Sequence, residues 1–184
     1  WDPPKGKPKQ IAFPGFSDER DAASKVKREE PILVILGNPP YNGFAGTAME
    51  EERDSTAAYR TTKRVAAPQG HGLNDLYVRF FRMAERRIVE KSGKGIVCFI
   101  SNYNWLDRKS FTGMRERYLE AFDRIWIDNL NGDKYRTGKT TPEGDPDPSV
   151  FSTEGSPVGI QVGTAIGLLV RQDEHGDSET VRYR

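Results

Sequence analysis

Ile32-Leu33-Val34-Ile35-Leu36, followed by Gly37-Asn38-Pro39-Pro40-Tyr41, joins a continuous apolar run to a stiff polar turn. Five consecutive aliphatic residues bounded by turn formers predict a strand buried on both faces, as in a parallel sheet. Two consecutive prolines lack backbone N–H groups and fix φ, so the turn is held extended beyond the strand. In an open α/β sheet that edge is where ligands bind.

The chain beyond the turn repeats the alternation of strand and helix. Residues 42–73 are small, polar and glycine-punctuated and predict a long loop with about one helical turn. Leu76, Tyr77, Phe80, Phe81, Ala84 and Ile88 recur at helical spacing, with Asn74 as the cap. Gly93 and Gly95 stop that helix, and Ile96-Val97-Cys98-Phe99-Ile100 forms a second strand. Ser110 is suited to cap a helix whose apolar face is Phe111, Met114, Tyr118, Leu119 and Phe122. Ile125-Trp126-Ile127 is a third strand, and a polar stretch 129–157 precedes a fourth between Val162 and Val170. Helices alternating with strands predict an α/β fold. Right-handed crossovers bring the Asn38 loop, the Ser101–Asp107 segment and the Asn129 loop to one rim.

Composition bounds the function. The 184 residues suit one domain, with 35% apolar residues and a net charge of +1, so no global field favours nucleic acid. No apolar run approaches the roughly 18 residues that a membrane helix requires. The single cysteine, Cys98, excludes a disulfide framework and fits a reducing, cytoplasmic setting. With it and two histidines, His71 and His175, no metal site is expected. The amino terminus starts at Trp1 without Met or an apolar leader, which suggests a piece of a longer chain.

The turn carries specific chemistry. An amino group conjugated to a planar ring or carbonyl is a weak nucleophile because its lone pair is delocalised. Two fixed acceptors, the Asn38 side-chain oxygen and the Pro39 carbonyl, would hold its two hydrogens and favour a pyramidal nitrogen. That is preorganised electrostatics aimed at developing charge. Tyr41 offers a stacking face, worth roughly 1–3 kcal/mol per base. A plain turn closing a strand is the competing explanation, and the strand–helix pattern around the motif disfavours it.

Asn38-Pro39-Pro40-Tyr41 resembles the catalytic motif of adenine-N6 DNA methyltransferases. Three longer strings, Leu73 to Phe81, Phe99-Ile100-Ser101-Asn102-Tyr103 and Asn129 to Tyr135, resemble the methyltransferase portion of type ISP restriction–modification enzymes, over about Pro31 to Arg171. Those are single polypeptides with nuclease, helicase-like, methyltransferase and target-recognition domains. The resemblance implies the carboxyl-terminal half of a Rossmann-like class I methyltransferase sheet, mostly parallel with a late antiparallel strand. Residues 1–30, rich in Pro, Gly, Lys and Asp, read from composition as a connector, with the charged stretch Asp18 to Glu30 suited to a surface helix; the resemblance implies 31–173 as the catalytic half with an insertion at 131–157, and 174–184 as the start of a following segment.

The same resemblance implies S-adenosylmethionine as cofactor, duplex DNA with a flipped adenine as substrate, and other domains of the same polypeptide as partners. The catalytic residues would be Asn38, Pro39, Pro40 and Tyr41. An aromatic residue before the late strand would contact the base, a place Phe151 fills; an apolar anchor for the insertion is the alternative. The cofactor's glycine-rich loop, expected upstream of Asn38, has no counterpart in 1–37, so a fragment inactive alone is expected. Glutamine or RNA-guanine methylation and a non-catalytic DNA-binding relic are the alternatives.

Other signals carry less. Gly132 to Gly138-Lys139-Thr140 resembles a phosphate loop, but the spacing is one residue too long and prolines follow. Lys134, Arg136 and Lys139 in the same loop are candidates for the DNA backbone. Arg79, Arg82 and Arg86 form a stripe expected on a solvated helix face. Glu50-Glu51-Glu52 with Asp54 reads as a surface patch, and Asn102 and Asn104 as loop caps or pocket liners.

Overall fold

In a computed structural model, residues 16–41, 50–157, 159–176, 178 and 180–184 are described, with the side chains of 50–53 excepted. The chain separates into two units, 1–32 and 33–184. In the first, α1 (Phe16–Glu29) has Asp18 and Glu19 in its first turn and Lys27 and Arg28 in its last, complementing the helix dipole, and buries no residue. The connector ahead of α1 lies outside the described residues. No described helix is long and apolar enough to cross a membrane.

The second unit is a five-stranded sheet in the order β1-β2-β4-β3-β5. Its strands are β1 (Val34–Gly37), β2 (Gly95–Asn102), β3 (Arg124–Asn129), β4 (Thr164–Arg171) and β5 (Val181–Tyr183). β1 pairs in parallel with β2 and β5 with β3, while β4 runs antiparallel to both β2 and β3. This is the α/β sheet that the strand–helix pattern predicts, with the late antiparallel strand that the resemblance implies. β5, not foreseen from the sequence, aligns Val181 and Tyr183 with Ile125 and Ile127.

The helices α3 (Leu76–Glu85) and α4 (Thr112–Ala121) cover one face of the sheet. Tyr77, Phe81 and Ile88 pack with Val97 and Phe99, and Met114, Tyr118 and Phe122 pack with Ile125 and Leu169. Phe81 is the hub, with ring centroids 5.0 Å from Phe99, 5.5 Å from Trp105 and 6.0 Å from Tyr118. Such ring pairs add about 0.5–1.5 kcal/mol each beyond area burial.

The expectation that run 32–36 is buried on both faces is corrected. Val34 is 53% exposed and Leu36 71%. Burial alternates along β2 and β4 as well, because both helices lie on the face of Val97, Phe99 and Leu169. β1 is also an edge strand of the described sheet.

Both predicted caps are corrected too. α3 is preceded by a 3₁₀ turn, Gly72–Asn74, so Asp75 is its cap and Asn74 instead accepts from Arg60 at 3.0 Å. α4 starts at Thr112, and the Ser110 hydroxyl donates to the Gln69 carbonyl at 2.6 Å. In each case a short 3₁₀ turn intervenes and moves the polar side chain off the helix axis. Gly93 does stop the preceding helix, with φ of 76° in the left-handed region.

In place of the expected single turn, α2 (Glu50–Ala57) spans eight residues; Asn42 to Met49 and the Glu50-Glu51-Glu52 side chains lie outside the described residues. Beyond α2, a buried ionic cluster joins the three helices. Arg82 is not on a solvated face. Its guanidinium bonds Glu85 at 2.7 Å, Glu90 at 2.7 Å and the Ser55 carbonyl at 3.0 Å. Glu85, 1% exposed, also accepts from Arg117 and from the Tyr59 hydroxyl. Burial opposes ionisation of Glu90, but the bonds from Arg82 and Arg86 outweigh it and hold its carboxyl below the usual range.

Breaking one partner of such a pair strands the others, so Glu85→Gln in the complete polypeptide should cost about 3 kcal/mol, read as a fall in the urea midpoint of this domain. Alkaline pH should weaken the fold as well. Burial raises Tyr59, Tyr77 and Tyr118 well above the ordinary phenol value. The folded state therefore keeps these protons to higher pH than the unfolded chain. Their contribution is fully present below about pH 10 and is lost as pH rises past it, by up to about 1.4 kcal/mol per pH unit per tyrosine. Urea midpoints between pH 8 and pH 11 read this out.

Candidate active site

The rim of the sheet is set by strand register. Gly37 pairs with Phe99, so the chain leaving β1 passes alongside the end of β2. An ideal Cβ on Gly37 would lie 3.0 Å from the Phe99 ring, and glycine lets that ring lie close against the strand end. Asn102 pairs with Thr164, and Asn129 with Ala165. The three loops expected on one edge are therefore brought to one edge.

Within the motif, Asn38 and Pro40 are exposed and Pro39 is buried. Tyr41 is half-buried, packs against the main hydrophobic core, and donates its hydroxyl to Asn38 Oδ1 at 3.1 Å. Burial pushes the Tyr41 phenol up to about 12, so it stays a neutral donor at any physiological pH. The exposed amide is thus held by a neighbour that is itself anchored, which limits its rotamers without burying it.

The segment after β2 is built for rigidity. Ser101 Oγ accepts from the Trp105 indole at 3.2 Å, and Asn102 Oδ1 accepts from the Asn104 amide at 2.9 Å. Asn102 therefore caps a 3₁₀ turn, Tyr103–Leu106. Its oxygen is committed to the backbone.

The loop after β3 is ordered around Asp133, which the sequence pattern does not single out. Asp133 accepts from the Tyr103 hydroxyl at 2.9 Å and from the Tyr135 and Arg136 amides at 2.8 and 3.0 Å. Burial opposes its ionisation, but these donors outweigh that and hold its carboxyl below the usual range. Burial, then Asp133, lifts Tyr103 to about 12. The available signal was Asn131-Gly132 before it, both at positive φ (51° and 77°), a left-handed turn that delivers the next side chain inward.

Of the three basic candidates, Lys134 is exposed. Arg136 is paired with Asp107 and stacked over Tyr103, 5.1 Å from the ring centroid. Lys139 is half-buried with φ of 59°. Phe151 is half-buried, with its amide donating to Ser149 Oγ at 3.2 Å.

A concavity of about 660 Å³ lies between α4, β3 and β5, with Trp105, Leu106, Tyr118, Ile127, Arg136 and Tyr183 among its walls. Asn38, Tyr41 and Phe151 do not line it. Several of its polar groups pair with one another or the backbone: Arg136 with Asp107, Asn129 with Tyr183 at 2.6 Å, and Arg115 with the Trp105 carbonyl at 2.8 Å. The motif is exposed at the rim, apart from this concavity.

The sequence model of the Eco57I restriction-modification methylases matches residues 9–134, more than half of the chain. Solved structures share the fold. An ATP-dependent Type ISP restriction-modification enzyme, LlaBIII, bound to DNA is 23% identical with a TM-score of 0.67, over 95% of this chain and 12% of that one. A nuclease-deletion mutant of the Type ISP enzyme LlaGI in complex with a DNA substrate mimic is 25% identical with a TM-score of 0.69, over 91% and 16%. The DrdV–DNA complex is 27% identical with a TM-score of 0.61, over 90% and 16%. The chain thus spans 12% to 16% of the length of these structures. No curated protein sequence matches.

Gly163 tests the packing of the rim. A Cβ there would overlap the Tyr103 ring. Gly163→Ala should displace that ring and cost about 2 kcal/mol or more, seen as a lowered thermal midpoint.

Proposed function

The chain belongs to the Eco57I restriction-modification methylase family, and from that premise we propose that it carries the base-accepting half of a DNA adenine-N6 methyltransferase within a restriction–modification polypeptide. The observation that carries the reading is Asn38, exposed at the rim beside buried Pro39 and anchored Tyr41. Asn38 Oδ1 and the Pro39 carbonyl accept the two hydrogens of the adenine amino group, and the nitrogen lone pair turns outward to take the methyl group as its bond to the sulfonium sulfur breaks and a neutral thioether leaves; one amino proton then passes to water. Because Asn38 Oδ1 already accepts from Tyr41, the incoming amino group replaces one donor with another and the oxygen is not stripped of partners. Tyr41 and Phe151 offer faces for the base.

A base stacked in a duplex cannot reach this rim, so the target must be extruded. The type ISP neighbours are DNA complexes, which supports DNA as the partner here. Lys134, with Lys139 and Arg136, is assigned to the phosphate backbone; at Arg136 a phosphate competes with Asp107. S-adenosylmethionine supplies the methyl group in this family reading. The described residues offer it no glycine-rich strand–turn: β1 is the first described strand, and its own turn is Asn-Pro-Pro-Tyr. The chain is accordingly assigned the acceptor side of the reaction.

Incubation of the complete polypeptide with duplex DNA and methyl-labelled S-adenosylmethionine should place label on adenine N6. Asn38→Ala should lower kcat by about 10²–10³-fold, with DNA affinity nearly unchanged. Label on a glutamine peptide in place of DNA, or full activity in Asn38→Ala, overturns the reading.

A further inference from the structure

We propose that Tyr103 and Asp133 form a clamp whose role is to position Phe151 for the extruded base, an inference that rests on the proposed function. Tyr103 stands just past β2, and its amide donates to the Gly163 carbonyl at 3.0 Å, immediately ahead of β4. Its ring lies against Gly163, which has no room for a Cβ. Its hydroxyl, in turn, donates to Asp133, the carboxylate around which the loop after β3 turns. One side chain therefore ties together the ends of two neighbouring strands and the loop that leaves a third.

From Asp133 the contacts run on to Phe151. The adjacent Gly132 amide donates to Asp147 at 2.9 Å. A Cβ on Gly132 would lie 2.9 Å from the Ser149 Cα, so the two backbones meet there without a side chain between them. The buried Ser149 then holds Phe151 and Ser152: its hydroxyl accepts from the Phe151 amide at 3.2 Å, and its carbonyl from the Ser152 amide at 2.8 Å. Arg136 closes the clamp from the other side, stacked on the Tyr103 ring and paired with Asp107.

Among the described residues of this loop, no helix or strand fixes Phe151. Its three-residue bridge Asp147-Pro148-Ser149 is instead pinned to Gly132, and Gly132 to Tyr103 through Asp133. If Phe151 stacks on a base, its placement depends on a hydroxyl that never touches that base. A purely architectural Tyr103 would change stability without changing how the base is held.

The test uses the complete polypeptide and a duplex with 2-aminopurine at the target position, whose fluorescence rises when the base leaves the stack. Tyr103→Phe keeps the ring under Gly163 and removes the hydroxyl that bonds Asp133 and also meets Arg136. It should reduce the fluorescence rise by at least half and lower kcat about tenfold, with KM for duplex within twofold and the thermal midpoint lowered by a few degrees. Asp147→Ala, at the far end of the same contacts, should give the same pattern and decides the matter if Tyr103→Phe does not fold. Because the clamp acts through Phe151, Tyr103→Phe combined with Phe151→Ala should be no slower than Phe151→Ala alone. Wild-type fluorescence and kcat in both single variants, or multiplicative losses in the double variant, overturn the clamp while leaving the adenine reading intact. A wild-type polypeptide that leaves adenine unmethylated overturns the proposed function itself.

Discussion

Parallel pairing of β1 with β2 is the constraint from which the site follows. Four residue pairs, Val34 with Ile96 through Gly37 with Phe99, set where the chain leaves the sheet. Gly95 makes the start of this pairing possible, since any side chain there would collide with the Leu33 carbonyl. Gly37 serves the other end, where Phe99 packs close over the strand. Two glycines thus bracket a short edge strand, and the prolines convert its last residue into a fixed point of departure for Asn38. A strand this short contributes little free energy alone. Its position comes from Phe99, which is itself held by Phe81 and the aromatic cluster behind it.

The helix layer holds that register through two unlike devices. The aromatic cluster is non-directional and supplies bulk burial. The Arg82–Glu85–Arg117–Glu90 cluster is directional and adds less net stability, since desolvation of the ions offsets much of their attraction. Its value is specificity of arrangement: Tyr59 and the Ser55 carbonyl both join it, so the end of α2 is held against α3.

Legibility differed by element for physical reasons. Strands and helices announced themselves because burial against one face imposes a period, and the Asn38 motif did so because two adjacent prolines fix the backbone directly after a strand. Asn74 and Ser110 misled because good capping residues also serve 3₁₀ turns, whose three-residue period the sequence pattern does not distinguish. Arg82 misled because a stripe of arginines looks solvated unless Glu85 is seen on the apolar face at i+3. A carboxylate four residues beyond Phe81 and eight beyond Tyr77 was the signal that the face was not wholly apolar.

The order of apolar runs, the glycine stops and the proline-stiffened asparagine fixed the fold class and the motif, because local backbone preference and periodic burial act between near neighbours in the chain. The linking of Tyr103 to Asp133, of Gly132 to Ser149 and of Glu85 to Tyr59 and Arg117 joins residues far apart in the chain. Nothing in local propensity specifies such pairs. They arise only when folding excludes water and each buried polar group must find a partner from whatever chain has been brought beside it.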